Sequence, residues 1–290
     1  MPFTPAYSVP DERQSYTMRA GPVGCLMIHG FMGSPFSTRP LAAYLQERGI
    51  TVHCPLLPGH GEYPEKLYKV PMEAWIEETV EALAYLRSQC DEIFLMGHSM
   101  GAILGAYLVE KFGDFKGQIM LAPVYDLPDW RLRGFRFARY FLPYFYPLKF
   151  SKLHDLVYER VREFEPGIDL NDPTVQAKLP EITRVPTSGI DEMRKVMDMG
   201  RGLWPRLKLP VLIFQGKLDD AARPENTQKI YDLIPSKEKD LVLFEDTGHE
   251  LMRTFEPAHT QVWSGVRDFI GSRSALLESP SQMDDKKQIE

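Results

Sequence analysis

Six short apolar runs punctuate the chain, and several lead into stretches whose apolar residues recur at helical spacing. The run "GCLMIHG" (Gly24–Gly30) ends in a glycine-rich turn and reads as a buried strand. After it, "STRPLAAYLQERG" carries Leu41, Leu45 and Arg48 at helical spacing and stops at Gly49, a suitable C-cap. "ITVHCP" predicts a second strand. The stretch "PMEAWIEETVEALAYLRSQC" places Trp75, Ile76, Thr79, Val80, Leu83 and Leu86 on one face of a long helix. "EIFLMG" is a third strand, followed by a helix from Met100 to Phe112, and "GQIMLAP" is a fourth. "PVLIFQG" (Pro210–Gly216) and "DLVLFED" complete the set, each with a helix behind it, near Glu225–Leu233 and Ala258–Gly271. Apolar strands alternating with amphipathic helices predict an α/β fold, with a mostly parallel sheet covered by helices on both faces. Such sheets carry their sites at the carboxyl ends of the strands.

Two segments break the alternation. Residues 124–209, between the fourth and fifth predicted strands, show no clear strand and are too long for a loop, so a helical insertion is expected there. The core is then residues 1–123 together with 210–272. The polar tail, residues 273–290, has too little apolar content to pack and is expected to be disordered.

Composition changes this picture little. In 290 residues, 43% hydrophobic and 26% charged content is ordinary for a globular protein. A net charge of −6 gives no bulk attraction to nucleic acid. No apolar run reaches the roughly 18 residues of a membrane span, and the N-terminus lacks a secretory signal pattern. Cys25, Cys54 and Cys90 are odd in number, and two of them lie in or beside apolar strands. Reduced core thiols in a cytoplasmic protein are the expectation.

The candidate chemistry starts at the end of the third strand. Gly97-His98-Ser99-Met100-Gly101 is a G-x-S-x-G pattern between an apolar strand and a helix, the context in which that pattern forms a nucleophile elbow. The plainer alternative is Ser99 as an N-cap of the following helix. A serine hydroxyl needs a base, and the base needs a carboxylate to hold its tautomer. Of seven histidines, His249 alone follows a late strand inside a glycine-containing loop, "EDTGHELM". "QGKLDD" follows the fifth strand and offers Asp219 and Asp220. Consecutive residues in extended chain point to opposite sides, so at most one faces His249. Asp246 is a more distant third candidate. For an oxyanion, the backbone N–H of Met100 stands at a helix N-terminus, and the N–H of Phe31 lies in the glycine-rich loop "HGFMGSP". His60 and His98 read as structural, bonding neighbouring loops.

Together "IHGFMGSP", "PLLPGHGEYPEKL", "GHSMGA", "QGKLDD" and "DTGHEL" resemble the α/β-hydrolase superfamily, and within it the carboxylesterase and monoacylglycerol lipase branch. The resemblance covers about Val23 to Gly271. It implies an α/β-hydrolase fold with Ser99 as nucleophile, Asp219 as acid, His249 as base, and Phe31 and Met100 as oxyanion donors. It also implies a cap at 124–209 over an acyl pocket, and a small-molecule acyl ester or lipid substrate with no metal or organic cofactor. One departure is Ala102, where many relatives carry a second glycine. Another is a cap longer than those of the small bacterial carboxylesterases, which bears on substrate size.

Within the insertion, "DWRLRGFRFARYFLPYFYPLKF" is dense in aromatics and arginine. On a helix, Arg133, Arg136 and Arg139 would share one side and Leu132, Phe135 and Ala138 the other. The apolar side could pack on the domain below, line the pocket, or dip transiently into a lipid surface. Phe135, Phe141 and Phe145 are the candidate pocket residues. Three activities fit the sequence: an ester hydrolase on short to medium acyl chains; a thioesterase, lactonase or carbon–carbon hydrolase on the same triad; and an inactive member that binds a small apolar ligand.

Overall fold

A computed structural model describes residues 9–126, 134–150 and 167–277, together with positions 154, 157, 158, 161 and 162. Seven strands make the main sheet: β1 (Tyr16–Met18), β2 (Val23–Ile28), β3 (Ile50–Cys54), β4 (Glu92–His98), β5 (Gly117–Leu121), β8 (Val211–Gly216) and β9 (Lys239–Phe244). Their order across the sheet is β1-β3-β2-β4-β5-β8-β9. β1 runs antiparallel to β3, and every other pairing is parallel. The six predicted strands are all present. β1 is an addition: three half-polar residues at an edge carry no apolar run to announce it.

Burial explains why the central strands read as continuous apolar runs. β2, β4, β5 and β8 are buried along their whole length, because helices cover both faces of the sheet. The edge strand β9 is mostly half-exposed. The helices form two layers, α1 (Arg39–Gln46) beside α8 (His259–Gly271), and α2 (Met72–Arg87) beside α3 (Met100–Phe112). On α2 the predicted face is inward, with Trp75, Thr79, Leu83 and Leu86 buried. α7 (Pro224–Leu233) follows β8. Cys25, Cys54 and Cys90 are free and buried, and burial pushes the Cys54 thiol up to about 12.

Between β5 and β8 the described residues include α4 (Phe135–Ala138), α5 (Pro173–Ile182), α6 (Thr187–Leu203), and a small antiparallel ladder of β6 (Tyr144–Phe145) with β7 (Val185–Pro186). That ladder corrects the expectation of a strandless stretch. Two residues per strand, one of them proline, leave no alternating pattern to read. Burial in this region falls into two groups. Met193, Val196, Met197 and Leu203 of α6 join the main core, where α6 lies so close to α3 that Ile103 touches the Cα side of Gly200. Val161, Leu170, Val175, Leu179 and Ile182 form a separate cluster with Tyr63. No helix among the described residues is long and apolar enough to cross a membrane.

Candidate active site

The turn from β4 to α3 is built by steric exclusion. A Cβ on Gly97 would lie 2.3 Å from the Ala102 nitrogen, and one on Gly101 would lie 2.1 Å from the Ile28 carbonyl oxygen. Any side chain at either position would force the turn open. Between them Ser99 takes φ 53° and ψ −114°, a backbone region that L-residues rarely occupy. Its side chain makes no capping bond to α3, so the N-cap alternative has no support in the geometry. Ser99 instead faces a cleft lined by Gly30, Phe31, Gly33, Ser37, His98, His249 and Glu250.

The two later loops meet at the same cleft. His249 Nδ1 lies 2.7 Å from Asp219 Oδ2. Asp219 is buried, and its other oxygen accepts the backbone N–H groups of Ala221 (2.8 Å) and Ala222 (2.7 Å). Burial alone would raise its carboxyl, but electrostatic attraction and a hydrogen bond from His249, the Ala222 N–H and the Gln215 amide outweigh that and hold it below the usual range. Asp220 and Asp246 are exposed.

At the Phe31 loop, His29 is fully buried and accepts the Leu57 N–H at Nε2 (3.1 Å). Its Nδ1 therefore carries the proton and donates to the Gly30 carbonyl at 2.9 Å, which fixes the turn. The Phe31 ring stands edge-on to His60 and Trp75, each at 6.0 Å between centroids. Met100 opens α3, where the first N–H groups of a helix lack intrahelical acceptors. His60 bonds the Pro58 carbonyl, and His98 bonds that of His249.

The candidate cap residues are placed differently. The side chain of Phe135 is outside the described residues. Phe141 is 84% exposed, and Phe145 stacks on Phe150 at 5.3 Å. Neither borders the cleft at Ser99. Where a helix with Arg133, Arg136 and Arg139 on one side is expected, the described residues form the four-residue α4. Arg139 lies just beyond it and donates to Asp191 and Glu192 at 2.6 and 3.0 Å. Arg133 falls outside the described residues.

Several supporting residues have no motif of their own. Gln215, fully buried at the end of β8, donates to Asp219 Oδ2 (3.1 Å) and the Ala222 carbonyl (2.9 Å), while its own oxygen accepts the Thr227 hydroxyl at 2.6 Å. The sequence does hold one signal for it: a glutamine inside the apolar run "PVLIFQG" must find buried partners. Glu256 accepts the Gly248 N–H at 3.1 Å and steadies the His249 loop, with nothing in the local sequence to mark it.

Known proteins resemble this chain over most of its length. The model of the Hydrolase_4 family, described as serine aminopeptidase, S33, matches residues 23–257. A thermostable monoacylglycerol lipase from Bacillus sp. (strain H-257) is 30% identical over 84% of this chain and 89% of its own length. A carboxylesterase from Bacillus subtilis (strain 168) is 24% identical over 88% of this chain and 95% of its own. Among solved structures, one from work on the metagenome-derived lipolytic enzymes LipS and LipT superposes with a TM-score of 0.73 at 25% identity, covering 91% of this chain and 99% of that one. The monoacylglycerol lipase of Paleococcus ferrophilus gives a TM-score of 0.69 at 17% identity, over 90% and 98% of the two chains. The fold, the match over most of the chain and the serine at a strained strand-to-helix turn lead to one conclusion: the chain is an α/β-hydrolase and belongs to the Hydrolase_4 (serine aminopeptidase, S33) family.

Proposed function

We propose that the protein is a serine carboxylic ester hydrolase of the monoacylglycerol lipase and carboxylesterase type, working through Ser99, His249 and Asp219. One observation carries the reading: a carboxylate–imidazole pair 2.7 Å apart reaches the cleft that a serine with positive φ also faces. Ser99 Oγ attacks the ester carbonyl as His249 Nε2 takes its proton. Asp219 keeps the His249 proton on Nδ1 and stabilises the imidazolium. The N–H groups of Phe31 and Met100 receive the charge that develops on the carbonyl oxygen. His249 then protonates the leaving alcohol, and water repeats the sequence on the acyl-enzyme.

In this reading residues 124–209 form the cap. Arg139 bound to Asp191 and Glu192 pins its first part to α6, and the Thr187 hydroxyl donates to the Leu142 carbonyl. The substrates are esters of short to medium acyl chains, with this segment covering the acyl chain. Phe137, Tyr140, Phe141 and Leu142 are exposed and close together in the chain, and they favour transient contact of the cap with a lipid surface. The buried thiols suit a reducing, cytoplasmic setting.

The test is labelling by a fluorophosphonate, followed by turnover of p-nitrophenyl esters and monoacylglycerols of graded chain length, with thioesters, lactones and p-nitroanilides as competing classes. Labelling blocked by Ser99→Ala, with turnover reduced on the order of 10⁶-fold, is expected. A purified Ser99→Ala protein that keeps more than a few per cent of ester turnover refutes the proposal. Preference for a thioester, lactone or anilide moves the chemistry to that class.

A further inference from the structure

His98 stands between Gly97 and Ser99 inside the elbow, and it lines the cleft. Its Nε2 lies 2.9 Å from the backbone carbonyl oxygen of His249. Only a donor can bond a carbonyl, so Nε2 carries a proton. The His98 and His249 rings lie 4.7 Å apart, tilted by 48°. On the other side, the Gly30 turn is so near that a Cβ there would come within 3.3 Å of His98 Nδ1. One buried imidazole thus touches the serine-bearing turn, the Phe31 loop and the loop of the base.

The other bonds of the His249 loop show what this contact adds. The Thr247 carbonyl accepts the Leu218 N–H at 3.1 Å, and the His249 side chain bonds Asp219. Both tie the base to the acid's loop after β8, while the Gly248 N–H donates to Glu256, just before α8 in the chain. The Glu250 carbonyl accepts the Arg253 N–H within its own segment. The bond from His98 pulls the other way, toward the nucleophile.

We propose that His98 is a positioning residue, whose Nε2–H bond to the His249 carbonyl sets the spacing between the nucleophile elbow and the base. The proposal rests on the Ser99–His249–Asp219 reading above. It predicts a substrate-independent effect, because the bond lies on the protein side of the reacting groups. Misplacement of a base by about 1 Å costs on the order of 100-fold.

The experiment compares His98→Phe, which keeps the ring but has no donor, with His98→Gln, whose amide reaches about as far as Nε2. Each rate is divided by the number of sites titrated with a fluorophosphonate, so misfolded protein is not counted. For His98→Phe, kcat/KM per titrated site and the fluorophosphonate inactivation rate are expected to fall together by about 10- to 100-fold. The fall should be the same for acetate and long-chain esters. His98→Gln should recover most of it. If His98→Phe does not fold, His98→Asn, whose amide is too short to reach, takes its place. A per-site rate for His98→Phe within twofold of the parent, or a glutamine no better than phenylalanine or asparagine, overturns the proposal. Ser99→Ala is assayed in parallel. Retained turnover there overturns the triad reading and this inference with it, whereas lost turnover beside a parent-like His98→Phe overturns the positioning role alone.

Discussion

Asp219→Asn changes one atom in the most constrained part of the site, and the surrounding bonds dictate what the asparagine can do. In the parent, Oδ1 accepts two backbone N–H groups, from Ala221 and Ala222, and Oδ2 accepts from His249 Nδ1 and from Gln215 Nε2. All four partners donate. An asparagine oxygen will stay with the two backbone donors, which cannot rearrange. Its NH₂ then faces Gln215 and His249. Gln215 cannot turn to offer its oxygen, because that oxygen is held by the Thr227 hydroxyl and its amide also donates to the Gly216 and Ala222 carbonyls. His249 must therefore move its proton to Nε2 and accept at Nδ1. In that tautomer Nε2 no longer takes a proton from Ser99. An Asp-to-Asn change in a Ser-His-Asp triad costs about 10⁴ in turnover, equivalent to about 5 kcal/mol at 1.36 kcal/mol per decade.

Stability should fall by a smaller amount, on the order of 1–3 kcal/mol for a lost charge-assisted bond. The Asp219 carboxyl is held below its usual range, so the stability it contributes is present above an unfolded pKa of about 3.9 and is lost as pH falls through the folded value. The gap in Tm between parent and Asp219→Asn should accordingly be wide above about pH 5 and close below pH 4. The assay is p-nitrophenyl ester hydrolysis beside circular-dichroism melts from pH 3 to 7, with exposed Asp220→Asn as control, expected within about tenfold of the parent. A folded Asp219→Asn protein that keeps a tenth of parent turnover refutes the reasoning, as does a larger loss at Asp220.

Two further outcomes follow from particular contacts. Gly216→Ala would place a Cβ 2.2 Å from the Thr247 carbonyl oxygen and 2.4 Å from that of Gly248, so the His249 loop must lift; ester turnover should fall by at least tenfold, measured against melting temperature. Phe141→Ser removes an 84% exposed ring; stability should stay within about 0.5 kcal/mol and turnover of dissolved short esters should hold, while turnover of monoacylglycerol presented on vesicles falls.

The parts of this molecule legible from sequence are those fixed by local sterics or by complete burial. Gly97 is required by contacts within its own turn and Gly101 by the adjoining end of β2, and β2, β4 and β8 are apolar because nothing else fits between two helical layers. The residues alone leave Asp219 and Asp220 open, and the family resemblance favours Asp219; the structure buries the first beside His249 and exposes the second. Gln215 and Glu256 serve partners in other loops, so only a polar residue in an apolar strand hinted at one of them. The segment 124–209 is least legible. Four helical residues in α4 are too few to define an inward face, so the sequence could not separate exposed Phe141 from half-buried Phe145. The strand pair β6–β7 left no periodicity at all.

Sheet order explains why His249, in the proposed role of base, needs more than Asp219 to hold it. β8 and β9 are neighbours in register through Gly216 and Phe244, so the loops bearing Asp219 and His249 start side by side. β4 is separated from β8 by β5. At about 4.8 Å per strand spacing, the end of β9 stands about 14 Å from the end of β4, and an imidazole on a loop above β9 would fall short of Ser99. The loop must fold back across the end of β8. The glycine at 216 is where it crosses, with the Thr247 and Gly248 carbonyls lying where a side chain would be. A loop drawn that far from its own strand has to be held at both ends of its excursion. Leu218 and Asp219 hold it over β8, and the His98 ring, reaching out from the end of β4, takes the His249 carbonyl on the far side.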